Sequence, residues 1–90
     1  MNPDNVKDFN SFIAFVGWLA SDRADEVQKE RLTPSHPVGL GANRWENSTI
    51  EAFLEAAVAC AIDNRNRSGH PPEPSWREFA GFLLGGKIYE

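Results

Sequence analysis

The sequence predicts an all-α fold, a compact bundle of about three helices near residues 8–30, 48–63 and 75–86 with two long Pro/Gly-containing loops. Three observations carry this. Apolar residues recur at three- and four-residue spacing in three stretches; a side chain able to cap free amides stands before each; prolines and glycines cluster between them. A chain of 90 residues has room for one hydrophobic core, so residues 1–90 form a single helical domain.

The first helix starts near Asp8, placed to cap the first amides, and its apolar set runs Phe9, Phe12, Ile13, Val16, Leu19 and Ala20. Phe15 and Trp18 widen that stripe beyond one face. The helix is therefore expected to lie centrally or to carry part of a subunit interface, with Phe15 and Trp18 as the candidate dimer face. Its second half, Asp22 to Arg31, is polar and expected to be solvated. Between Leu32 and Arg44, two prolines and two glycines forbid a regular helix and predict a loop.

Ser48-Thr49-Ile50-Glu51 has the form of a capping box that opens a second helix, with Ile50, Phe53, Leu54, Ala57, Val58, Ala61 and Ile62 on its apolar side. Its alanines permit a close neighbour. From Asp63 to Pro74 the chain reads as a polar turn and an extended proline-rich arm. Ser75-Trp76-Arg77-Glu78 repeats the capping logic, and Trp76, Phe79, Ala80, Phe82, Leu83 and Leu84 face the core from a third helix that Gly85-Gly86 weakens or ends. Ile88 and Tyr89, apolar at the terminus, are expected to dock on the body.

The residues argue against catalysis. His36 and His70 sit in proline-flanked loops with no second ligand at metal-binding spacing, so neither a metal nor a cofactor is expected. Cys60, the sole cysteine, belongs to the alanine-rich second helix and has no evident activating base. Gly39-Leu40-Gly41 lacks the further glycine or lysine of a phosphate loop. The protein is expected not to be an enzyme. Thirteen acidic against nine basic side chains give a net charge of −4, which disfavours nucleic acid and anionic membranes as partners. The N-terminus lacks a signal-like apolar region, and no apolar run is long enough to cross a bilayer, so a cytoplasmic location is expected.

Trp45-Glu46-Asn47 is the most distinctive cluster: an aromatic ring, a carboxylate and an amide just before a helix start. Trp45 has two readings, as a staple on the helix it precedes or as an anchor for a partner. Trp76 and Tyr89 invite the same pair of readings. Trp45, Glu46, Asn47, Trp76 and Tyr89 are thus the candidate partner-binding residues.

Taken in order, Trp45-Glu46-Asn47, Thr49-Ile50, Phe53-Leu54-Glu55-Ala56, Pro74-Ser75-Trp76 and the closing Lys87-Ile88-Tyr89-Glu90 resemble a family of small bacterial proteins of unknown function, over about Phe12 to Glu90. The resemblance implies that Trp45, Glu46, Asn47, Trp76, Tyr89 and Glu90 form a related set. It transfers no activity. The long 32–44 stretch and Gly85-Gly86, where alanines are more usual, depart from the family pattern.

These readings favour a non-catalytic module that binds another protein: an adaptor, an inhibitor or an immunity-type protein whose acidic surface would steer it to a basic toxin. The alternatives are a self-associating homodimer, or a small-ligand binder with a pocket near Trp45, Glu46 and Trp76.

Overall fold

The computed structural model describes residues 2–34 and 43–89. A 3-10 turn, Pro3–Asn5, leads into α1 (Phe9–Leu32), α2 (Ile50–Ser68) and α3 (Trp76–Ile88). The all-α, three-helix expectation holds. Residues 35–42, which contain most of the expected first loop and His36, lie outside the described residues, as does Glu90.

The helix starts follow from local chemistry. The Asp8 carboxylate accepts from the Ser11 amide at 2.8 Å while the Ser11 hydroxyl serves the Asp8 amide, a reciprocal box. Ser75 caps α3 by accepting from the Glu78 amide at 3.1 Å. At α2 the cap is Thr49, which accepts from Ala52, and not the expected Ser48. α2 also runs five residues past its expected end. Asp63 to Ser68 are helical, because Arg65 and Arg67 in the last turn suit the negative end of the helix and Gly69, at φ 87°, supplies the left-handed stop one turn later.

The order of packing differs from expectation. α3, not α1, is central: it packs against α2 and α1, which have no substantial packing on each other. α1 runs parallel to α3, with Phe12 near Phe79 and Asp22 at Lys87, whereas α2 runs antiparallel, with Phe53 at Gly86 and Cys60 at Gly85. The three helices thus lie side by side as a layer in the order α1, α3, α2. Val6, Phe15, Leu19 and Ala80 form the buried cluster, with Phe12, Trp18, Trp45, Leu83 and Leu84 packed around it. Ala56 and Ala57 are the buried alanines of α2, while Ala59 and Ala61 are exposed.

Gly85 and Gly86 do not end α3. They are where α2 comes closest: a Cβ on Gly86 would stand 2.7 Å from the Phe53 ring, and one on Gly85 3.2 Å from Cys60. Gly86→Ala is therefore expected to lower stability by about 1–3 kcal/mol despite its better helix propensity. Gly17→Ala, where an added Cβ meets nothing within 4 Å, is expected to raise it by about 0.5–1 kcal/mol. Paired thermal melts at one protein concentration check both signs.

Candidate functional site

The polar half of α1 is not fully solvated. Asp22 and Glu26 continue the inward stripe of Phe15 and Leu19, at spacings of four, three and four, so two acids point where the core ends. Glu26 is 2% exposed. One of its oxygens accepts from the backbone amides of Asn43 (3.0 Å) and Trp45 (3.2 Å), and the other pairs with the Arg23 guanidinium at 2.7 Å. Arg44, between those two amides, has the left-handed φ of 64° that lets both converge on one oxygen.

Asp22 meets the far end of α3. Its carboxylate lies 2.6 Å from the Lys87 ammonium and accepts from the Trp45 indole N–H at 2.9 Å. Lys87 is buried, with its ammonium 5.3 Å from the Trp18 ring centre and 5.5 Å from that of Trp45. Partial burial pushes the Asp22 carboxyl upward, but the hydrogen bonds from Lys87 and Trp45 and the Lys87 charge outweigh it and hold it below the usual carboxylate range. On the solvent side, hydrogen bonds from Lys29 and Asn43 lower Asp25 in the same way.

The Trp45-Glu46-Asn47 segment is thereby tied to the end of α3 along its length. Trp45 stacks on Phe53 at 6.0 Å, the Glu46 amide donates to the Lys87 carbonyl at 2.8 Å, and the Asn47 side-chain amide donates to the carbonyls of Gly86 (3.0 Å) and Tyr89 (2.8 Å). Asn47 thus satisfies carbonyls that a helix end leaves free. The structure brings Trp45, Glu46, Asn47 and Tyr89 together, and the staple reading of Trp45 describes its contact with Phe53.

Trp76 is elsewhere. Eleven residues before Lys87, it lies about 16 Å away along α3. There it packs on Phe9 (5.6 Å), Phe12 (5.2 Å) and Phe79 (5.8 Å). A single pocket uniting Trp45, Glu46 and Trp76 is therefore not formed. A cleft of about 580 Å³ instead opens between α2 and α3, over Ala57, Cys60, Ala61, Phe79 and Phe82, with Arg65 and Glu78 among its polar lining. A second, of about 500 Å³, adjoins Trp76 and Val6.

The expected dimer face is also corrected. Phe15 is 1% exposed, at the centre of the core, and Trp18 is half-buried against Lys87. Among the described residues Leu32, Ile50, Ile62, Trp76 and Ile88 are exposed apolar groups, and so are Phe9 and Ile13 of α1, Leu54 and Val58 of α2, and Phe79 and Phe82 of α3, these six each between 38% and 57% exposed. The six lie on one side of the layer. Phe79 touches Phe12 of α1 (6.3 Å) and also borders the cleft with Ala61 of α2. Leu54, two turns before Ala61, occupies the same flank of α2; Val16 and Ala20 continue the flank of Phe9 and Ile13 in the same way.

Among the described residues no group of three His, Cys, Asp or Glu side chains could hold a metal ion, and no helix is long and apolar enough to cross a membrane. Fold and site together define a small three-helix domain, locked at one end by a buried ion pair and open along an apolar face. The chain belongs to a family of unknown function, DUF7660, whose model matches residues 8–90. No curated protein and no solved structure matches it.

Proposed function

We propose that this protein is a non-catalytic protein-binding module and that the apolar face across its three helices is its docking surface. The observation that supports this reading is the exposure of Phe9, Ile13, Leu54, Val58, Phe79 and Phe82 side by side, while among the described residues Phe15, Leu19 and Val6 are the only buried apolar side chains larger than alanine. Contiguous apolar surface of this kind marks interaction sites in soluble proteins. The Trp45-Glu46-Asn47 cluster serves the fold in this reading, because its amides and indole N–H are committed to Glu26, Asp22 and α3.

The test compares Ile13→Glu/Leu54→Glu with the wild type after cross-linking at native abundance, followed by mass analysis of the linked species. Both positions are about half exposed, so helicity by circular dichroism should be unchanged. The wild type should give a discrete protein-linked species, a copy of itself included, and the variant should lose it. Identical patterns for the two would contradict the reading.

A further inference from the structure

We infer that the cleft between α2 and α3 is a binding site for a free α-amino acid with an apolar side chain. The inference stands apart from the docking surface, although the two share Phe79 and Phe82. The cleft follows from how the two helices meet. Near the end of α3 they touch, with Gly86 against the Phe53 ring and Gly85 against Cys60. One turn earlier, Gly81 borders open space, where an added Cβ would meet nothing within 4 Å. The gap runs from there to the Pro72-Glu73-Pro74 arm, and its volume, about 580 Å³, falls within the ~300–1,000 Å³ of small-molecule sites.

The lining is divided as a ligand site requires. Its floor is apolar: Ala57, Cys60 and Ala61 from α2, Phe79 and Phe82 from α3. Its charges stand on different walls, Arg65 on α2 and Glu78 on α3, with a second acid, Glu73, on the arm. Arg23, Lys29 and Lys87 each close on an acid, yet among the described residues Arg65, Glu73 and Glu78 form no ion pair. The neighbouring polar groups are engaged already: Asn64 accepts from the Arg67 guanidinium, and Ser68 donates to the carbonyls of Arg65 and His70. One cation and two carboxylates are thus left over around an apolar floor, held apart from each other.

That separation defines the ligand. A guanidinium binds a carboxylate, and a carboxylate binds an ammonium, through charge-assisted hydrogen bonds. An α-amino acid carries both groups on one carbon, so its head bridges two walls that do not reach each other. A side chain such as that of phenylalanine or leucine then continues onto Phe79, Phe82 and Ala61. A simple fatty acid would leave Glu73 and Glu78 without a partner, and a simple amine would leave Arg65 without one.

The experiment is an amide NMR titration of the full chain with L-phenylalanine and L-leucine to about 10 mM, alongside N-acetylphenylalanine, which lacks the ammonium, and phenylalaninamide, which lacks the carboxylate. Both amino acids should give saturable shifts at Cys60, Ala61, Arg65 and Gly81, with a Kd below about 1 mM. Each blocked ligand should bind about 10-fold more weakly, as should L-phenylalanine to Arg65→Gln and to Glu73→Gln/Glu78→Gln, exposed changes that leave helicity intact. Gly81→Leu, which fills the cleft from a helical position with room for a side chain, should abolish the shifts. Absence of saturable shifts with either amino acid overturns the inference. So do shifts that Gly81→Leu retains, or equal binding of the blocked ligands.

Discussion

Glu26→Ala is expected to lower stability by about 3–5 kcal/mol, the largest effect of any single substitution considered for this chain. The carboxylate is almost wholly buried and holds three partners: two backbone amides of the segment after the loop and the guanidinium of Arg23. Removing it leaves the Asn43 and Trp45 amides without an acceptor and Arg23 without its counter-charge. The left-handed backbone at Arg44 would also lose the group it serves. Glu26→Gln preserves shape and one oxygen for the two amides but turns an NH2 toward Arg23, so its cost should be smaller, about 2–3 kcal/mol. Urea unfolding at fixed protein concentration measures both. Equal and small losses, below about 1 kcal/mol, would mean that the Asn43 to Asn47 segment is held by something other than Glu26.

Asp22→Asn should cost about 2–4 kcal/mol, since it leaves a buried ammonium between two indoles without its carboxylate while preserving an oxygen for the Trp45 N–H. Lys87→Met should cost less, about 1–2 kcal/mol: the thioether chain still fills the space between Trp18 and Trp45, and the Asp22 side chain, 18% exposed, keeps the indole N–H and access to water. The double variant should be no less stable than Asp22→Asn alone, a coupling of at least about 1 kcal/mol in a double-mutant cycle.

The same pair sets an acid limb. The folded-state pKa of Asp22 lies below its unfolded value, so its stabilisation is complete above the ordinary carboxylate range, near pH 4, and is lost as pH falls through the lower folded value. Wild-type stability should therefore fall steadily below about pH 4. In Asp22→Asn that fall should be shallower, the remainder coming from carboxylates such as Asp8 and Asp25, also held low by hydrogen bonds. A slope unchanged by Asp22→Asn would show that the pair is not coupled to folding.

Much of this fold is legible in the residues, because helix starts depend on one side chain and a few amides. Asp8 and Ser75 cap where the sequence places them. Thr49 stands as the cap in place of Ser48, since two adjacent hydroxyls offer the same chemistry and the sequence alone does not choose between them. Misreadings arise where tertiary contact changes a residue's meaning. Gly85-Gly86 resembles a breaker but is a point of close approach, and the Asp63 to Ser68 run resembles a turn although Gly69 is its actual stop.

The site was legible in part. Trp45, Glu46, Asn47 and Tyr89 do converge, but Trp76 packs a dozen residues away with the N-terminal aromatics, and Glu26 and Asp22 stood hidden in a stretch expected to be solvated. A signal for them existed. The sequence from Phe12 through Phe15, Leu19, Asp22 and Glu26 keeps one helical face, and an acid that continues an apolar stripe is a candidate for a buried partner. Phe15 could not be told from Phe9 by periodicity alone, since α1 is apolar around much of its first half; only the position of α3 decides which ring is covered.

The central proposal, that the open apolar face is a docking surface, is tested most directly by cross-linking the wild type and Ile13→Glu/Leu54→Glu side by side at native abundance. A discrete protein-linked species that the wild type forms and the variant loses is the expected result, and identical patterns for the two would contradict it.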